Sequence, residues 1–501
     1  MAKFYLTTAI DYVNGAPHIG HAAEKVQADV LARWKRLQGD DVYFLTGTDE
    51  NTMKVVKVAE REGITPEALA DKYAERFRSM GQALNLTPDR FIRTTDQEIH
   101  HPGAAKIWEA LVTNDLIYKD RYEGLYCVEC EQFYTTKEAV KGKCPEHGIP
   151  LEQWSEENYM FRLSKFEAQL KQLISSDELQ ILPDTRKNEV LTFLASGLAD
   201  ISFSRPASKL KLGVPVPGDD SQKMYVWTDA LANYATGVGY GRDEVEFAKW
   251  WPADVHLIGK GITRFHAVNW PAMLLGAGLP LPRQIYAHGY FTLEGAKISK
   301  SQGNVVDPVE LVERHGADPI RYYLLRALPY AGDGDYSERH FTEIFNSELA
   351  NDFGNLASRV LTLIEKKCDG QVPTGTADPQ LKEQVGQTHQ EVGLLLESYK
   401  FAEALERLNG LASAANKYVE RTKPFQAEGD DLNDSLYTLA QVVAHLAVLY
   451  SPVLPVKTVE LFDRLGLTAD RWDTKALRAW EKLPSGSLIH TGPPLFPKPG
   501  K

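Results

Sequence analysis

Residues 7–24 read Thr-Thr-Ala-Ile-Asp-Tyr-Val-Asn-Gly-Ala-Pro-His-Ile-Gly-His-Ala-Ala-Glu. Upstream, residues 3–10 are β-branched and aromatic, the composition of a buried strand. Downstream, Val26, Val30, Leu31, Trp34 and Leu37 recur at helical spacing across 22–38. Asn14-Gly15 marks a turn between them, and Pro17 suits the first position of a helix. His18 and His21 therefore fall on the first turn of a helix that follows a parallel-type strand. A helix N-terminus presents N–H groups and partial positive charge, which suits phosphate. Residues three apart share a face, and Gly20 leaves room for a flat ring against the backbone. The stretch lacks the Gly-x-Gly-x-x-Gly and Walker spacings, so it holds a nucleotide in another way. Read alone, His-Ile-Gly-His is equally compatible with two polar helix caps.

A second stretch, Lys297-Ile298-Ser299-Lys300-Ser301, lies between a strand-like run at 284–292 and a helix-like run at 307–315. Gly295 and Gly303 flank it as hinges. Two lysines beside small hydroxyls on a mobile loop can close over a pyrophosphate. In isolation the same loop reads as a solvated basic surface.

At 501 residues and 43% hydrophobic content the chain is globular, with about three domains. No run reaches about 18 apolar residues, so no membrane span is expected. Residues 1–10 carry no signal-peptide pattern, and a cytoplasmic protein is expected. A net charge of −12 excludes a globally basic nucleic-acid binder, so any such contact must come from a local basic patch.

Cys127-x-x-Cys130 and Cys144-Pro-Glu-His147 form two tight arms separated by thirteen residues. Three thiolates and one imidazole at this spacing satisfy one closed, structural Zn2+. Disulfides and plain buried thiols are the alternatives, the former disfavoured in the cytosol. Cys368 stands apart from this grouping.

Residues 41–48 repeat the strand pattern and end on Asp49-Glu50. An acidic residue at the carboxyl end of a parallel strand faces the ligand crevice, although a helix N-cap has the same composition. Helical runs at 53–82 and 97–114 follow, which makes a doubly wound sheet the expected fold. The pattern breaks at 116 and the sheet is expected to resume at 223–228. Trp227, Ala230, Leu231 and Tyr234 share a helical offset, as do Ile262 and His266 after Gly259-Lys260-Gly261. From 342 the chain is helical, with a Pro/Gly/Thr linker at 370–379 and a Pro/Gly-rich tail.

The paired signatures resemble those of class I aminoacyl-tRNA synthetases. Longer stretches narrow the resemblance: Tyr12-Val13-Asn14-Gly15, Phe44-Leu45-Thr46-Gly47-Thr48-Asp49-Glu50, Tyr225-Val226-Trp227 with Asp229-Ala230, and Ile258-Gly259-Lys260. Phe265-His266-Ala267, Trp270-Pro271 and Asn355-Leu356-Ala357-Ser358-Arg359 extend it. In this order, over nearly the whole chain, they resemble the bacterial methionyl-tRNA synthetase family, of the type with a single zinc knuckle.

The resemblance implies an α/β fold, a doubly wound parallel-sheet nucleotide-binding domain with a zinc-knuckle connective insertion, then an α-helical anticodon-binding bundle. It divides the chain into 1–115 and 221–292 as the two catalytic halves, 116–220 as the insertion with its knuckle at 127–147, 293–341 as the lysine-loop and stem-contact region, 342–484 as the bundle and 485–501 as a coil. It implies that L-methionine and ATP, with Mg2+, give methionyl-adenylate, and that the methionyl group passes to tRNA(Met). His18, His21, Lys297 and Lys300 would be catalytic, with Gly20, Lys260 and Ser299 completing the ATP contacts. Ala9, Ile10, Tyr12, Asp49, Trp227, Ala230, Leu231, Tyr234, Ile262 and His266 would line the methionine site. Zinc would sit on Cys127, Cys130, Cys144 and His147, and Asn355, Arg359 and Phe425 would read the anticodon. A monomer is expected, since no oligonucleotide-binding module follows the bundle.

The chain departs from the family pattern at Phe425, where Trp is usual, at Asn51-Thr52 in place of His-Gly, at Gly261 in place of Asp, and at Asp11 and Thr228. Two competing readings are another class I synthetase, against which the short insertion and the Trp227/Tyr234 set speak, and a non-catalytic tRNA-binding paralogue.

Overall fold

Lys3–Thr8 is the middle strand of a seven-stranded, wholly parallel sheet. The structure is a computed structural model and describes residues 2–127, 132–134, 139–145, 148–298, 305–467, 477 and 479–498. Asp41–Asp49 pairs with one side of the middle strand and Val255–Gly259 with the other. Arg90–Arg93 and the short Asp11–Tyr12 both pair with Asp41–Asp49. Gln284–His288 and then Gln180–Leu182 complete the far edge. Strands covered on both faces need side chains that tolerate burial along their whole length, and Val255, His256, Leu257 and Ile258 are all fully buried. The crevice between the carboxyl ends of Lys3–Thr8 and Val255–Gly259 is the topological switch point, where open α/β sheets take their ligands.

The Ile19–Leu37 helix begins two residues beyond Pro17, with His18 as its N-cap. The proline therefore precedes the cap instead of opening the helix. The helical run at 53–82 is two helices, Met53–Glu62 and Pro66–Ala83, broken at Gly63 with φ +69°.

The parallel sheet does not resume at 223–228. Asp219–Met224 belongs to a small antiparallel sheet with Ser204–Pro206 and Pro215–Val216, and Val226–Thr236 is a helix buried at every position. A short apolar, β-branched run fits a helix walled in on all sides as well as a strand. The far edge strand, Gln180–Leu182, comes from inside 116–220. That stretch also builds a four-stranded antiparallel sheet around Ile117–Cys127 and Glu152–Phe161.

Beyond the sheet, Glu338–Ile344, Phe345–Gly354 and Asn355–Lys367 run end to end, the middle segment as a π-helix. Pro379–Glu397, Phe401–Thr422, Gly429–Tyr450 and Pro455–Arg464 complete the bundle. The tail packs back as a coil: Leu495 and Phe496 are buried, and the Phe496 ring lies 6.3 Å from those of Phe345 and Phe353.

Arg321 fastens the bundle to the sheet domain. Its fully buried guanidinium pairs with Asp29 Oδ2 on the Ile19–Leu37 helix at 2.7 Å. It also donates to the carbonyls of Leu84, Pro452 and Val453 at 2.8–3.0 Å. Asp29 accepts further from Arg33 and from the Thr87 amide and hydroxyl. A buried ion pair is tolerable when its remaining donors and acceptors are met in this way. Among the described residues no helix is long and apolar enough to cross a membrane.

Candidate active site

The two histidines cap their helix reciprocally. His18 Nδ1 accepts the Gly20 N–H at 3.1 Å, and His21 Nδ1 accepts the His18 N–H at 3.0 Å. This is a capping box built from imidazoles instead of hydroxyl and carboxylate groups. An Nδ1 that accepts carries no proton, so each neutral ring has its proton on Nε2. The helix end thus fixes the Nε2–H tautomer, and His21 Nε2 lies 4.0 Å from Asp11 Oδ1. The rings lie 3.8 Å apart, 30° from parallel. A Cβ on Gly20 would come within 2.9 Å of His18 Cε1, so the flat ring that this glycine admits is His18 itself. The Ile19 N–H donates to the Val306 carbonyl at 3.1 Å, which ties the chain just past the lysine loop to the histidine mouth. The Lys297 backbone pairs with Thr292 in a hairpin. The Lys297 side chain and all of Ser299 and Lys300 lie outside the described residues.

Behind the histidines lies a buried charge cluster that the sequence reading did not single out. The Lys25 ammonium meets both Asp11 oxygens, Glu24 Oε1 and the Ala9 carbonyl at 2.8–3.0 Å. Glu24 Oε2 faces His288 Nε2 at 3.0 Å. Burial works to raise the Glu24 carboxyl, but the Lys25 ammonium and His288 outweigh it and hold it at about 2. Charged residues at 24, 25 and 29, on a helix that buries nearly everything from 22 to 32, were the available signal.

The proposed methionine wall is aromatic. Trp227 stacks on Phe265 at 3.8 Å and 6°, with Tyr12 at its edge, 6.4 Å away. The Tyr234 hydroxyl meets His266 Nε2 at 2.7 Å, while His266 Nδ1–H donates to the Ile262 carbonyl at 2.9 Å. Since a carbonyl only accepts, Nε2 is the acceptor and Tyr234 the donor. Burial pushes His266 down to about 4, so the ring is neutral at physiological pH. Ala9, Ile10, Tyr12, Trp227, Leu231, Tyr234 and Ile262 share one apolar cluster, and Ala230 is buried beside Leu231. Asp49, 2% exposed, ends its strand opposite Tyr12. The cap of the next helix is Thr52 and not Asp49, which leaves the carboxylate at the crevice end of the strand.

Asn51 earns its place by geometry. Its Nδ2 donates to Asp229 Oδ2 at 2.8 Å and to the Met224 carbonyl, while Asp229 Oδ1 pairs with His100 at 2.6 Å. The end of the Asp41–Asp49 strand is thereby joined to the helix that bears Trp227. Lys260 is held by Asp333, 2.7 Å from each carboxylate oxygen.

Cys127 and Cys144 are buried in one small cluster with Tyr134. The Gly148 N–H donates to the Cys144 carbonyl at 2.8 Å. Cys130 and His147 lie outside the described residues. In the bundle, Asn355 opens its helix on an exposed position. Arg359 pairs with Glu420 at 2.7 Å, and its guanidinium lies 6.0 Å from the ring centroid of Phe425, itself 41% exposed.

Imidazoles held by a helix cap with their protons on Nε2, beside the switch point of a parallel sheet, set the chain among the class I tRNA synthetases. The family model described as tRNA synthetases class I (M) matches residues 4–153 and 148–361, and that described as anticodon-binding domain of tRNA ligase matches 378–491. A methionine–tRNA ligase of Thermotoga maritima is 42% identical over 99% of this chain and 80% of its own. One from Brucella suis is 41% identical over 99% and 98%. The structure of Mycobacterium tuberculosis methionyl-tRNA synthetase in complex with methionyl-adenylate has a TM-score of 0.94 at 39% identity, covering 99% of this chain and 100% of that one. The chain belongs to the methionyl-tRNA synthetase family.

Proposed function

We propose that the chain joins L-methionine to tRNA(Met) through methionyl-adenylate, with His18 and His21 as the α-phosphate donors. The observation that carries this reading is the imidazole capping box, which leaves a proton on each Nε2 at a helix N-terminus next to the switch point of the parallel sheet. The methionine carboxylate oxygen attacks the α-phosphorus, the bond to the bridging oxygen breaks, and pyrophosphate leaves. Two donors with the helix dipole behind them stabilise the charge that spreads over the α-phosphate. Lys297 and Lys300 would neutralise the departing pyrophosphate, and Mg2+ would accompany ATP. No covalent enzyme intermediate is needed; catalysis is positioning and charge stabilisation. A ribose hydroxyl of the tRNA 3′ adenosine then attacks the methionyl carbonyl, the bond to the phosphate oxygen breaks, and AMP leaves.

The thioether gains from the Trp227 and Tyr12 edges, and Asp49 receives the substrate ammonium. A single zinc on Cys127, Cys130, Cys144 and His147 would hold the insertion together; the two described thiols fit, being buried in one cluster. Asn355, Arg359 and Phe425 would meet the anticodon. The enzyme would work in the cytoplasm as a monomer. ATP–pyrophosphate exchange with each of the twenty amino acids tests the whole reading. Methionine alone should support full exchange, with norleucine and homocysteine as partial substitutes, because one methylene is worth only ~1–3 kcal/mol. Faster exchange with any other amino acid refutes it.

A further inference from the structure

We infer that Tyr290 is a positioning residue for the nucleotide, and that position 261 is glycine in order to admit its ring. Tyr290 follows the sheet strand Gln284–His288 and precedes Phe291–Leu293, the first strand of the hairpin that leads into the lysine loop. It is 42% exposed, yet its ring lies along the backbone of Gly259 and Gly261 at the switch point. A Cβ on Gly259 would stand 3.5 Å from Tyr290 Cε1, with His288 and Glu24 within 4 Å of the same place. A Cβ on Gly261 would overlap the phenol oxygen outright. Gly261 is not among the residues with positive φ, so its backbone alone does not call for glycine. The Tyr290 ring occupies the space that a side chain there would take.

The remaining contacts converge on the same ring. The Lys260 ammonium lies 4.9 Å from its centroid, within cation–π range. Asp333 holds that ammonium and also accepts the Tyr290 N–H at 2.8 Å. One side chain thus touches the switch-point glycines and the crevice lysine, and its own amide is fixed by the aspartate that holds that lysine. Tyr290 sets Lys260 and the root of the lysine hairpin in a fixed relation beside the crevice that ATP enters.

This rests on the nucleotide site proposed above. Tyr290→Ala should raise KM for ATP about tenfold and leave KM for methionine within about twofold, the split expected of a residue that orders only the nucleotide side. Tyr290→Phe keeps the ring on Lys260 and should stay within about twofold of the parent in both. Gly261→Ala should mimic Tyr290→Ala by driving the ring away. The decisive measurement is the double variant. If Gly261 serves Tyr290, adding Gly261→Ala to Tyr290→Ala changes KM for ATP by less than about twofold. Independent effects that multiply overturn the inference, as does an equal rise in KM for methionine. Tyr290→Leu takes the place of the alanine variant if thermal melts show the latter unfolded. A parent enzyme without methionine-dependent exchange would instead overturn the reading beneath.

Discussion

The Tyr234 hydroxyl donates to Nε2 of His266 across 2.7 Å, inside a wall where both side chains are about 1% exposed. Since Nδ1–H is committed to the Ile262 carbonyl, a proton arriving at Nε2 has to displace the tyrosine donor. Burial holds His266 at about 4, against an ordinary value of 6.5. Between those values the unfolded chain binds a proton that the folded one refuses. The associated stability is therefore complete above pH 6.5 and is lost progressively as pH falls toward 4, about 3 kcal/mol in all. The melting temperature of the parent should fall faster than that of His266→Gln between neutral pH and about 4.5. Parallel slopes would show that His266 is not the titrating group.

Trp227 presents one face to Phe265 and an edge to Tyr12, so it can order a thioether only as part of that set. Trp227→Ala should raise KM for methionine by about tenfold or more with KM for ATP nearly unchanged, and Trp227→Phe should recover part of the loss. Steady-state exchange kinetics check both, and a matching loss for ATP would remove Trp227 from the amino-acid pocket.

In His21→Asn the amide oxygen can replace Nδ1 as acceptor of the His18 N–H, which preserves the helix cap while deleting the Nε2–H donor. Exchange should fall by about 10²–10³, the usual loss for one donor to a developing oxyanion. The melting temperature should hold within a few degrees. An unchanged exchange rate removes His21 from the chemistry.

Arg359 sits between Glu420 and the Phe425 ring, far along the chain from the histidine mouth. Arg359→Ala should weaken tRNA binding by about tenfold or more, through loss of a stacking and bidentate group. Exchange without tRNA should be untouched. Aminoacylation against tRNA concentration measures the first, and a drop in exchange would mean that the residue acts on the fold instead.

Capping chemistry is local, so His18 and His21 could be placed at a helix mouth from their neighbours alone. Helical offsets put Trp227 with Tyr234 and Ile262 with His266, but that the two pairs meet, through Tyr234 and His266, was implied only by the family resemblance, and the strand expected at 223–228 is part antiparallel strand and part helix. Contacts spanning long loops were beyond such reasoning. Asp333 is 73 residues from Lys260, and nothing near either one announces the pair. Glu24 and Lys25 were not singled out, because period alone does not reveal that this helix is covered on nearly every side. Phe265 stood in a family motif, but only its stacking on Trp227 gives it a task.

Asp29 lies about two turns beyond His21 on the same helix, and Arg321 clamps it to the carbonyls of Pro452 and Val453. The rod that aims the imidazoles is thus bolted at mid-length to the module that would meet the polynucleotide. The helix that carries the imidazoles and the loop after Tyr450 therefore share one buried anchor.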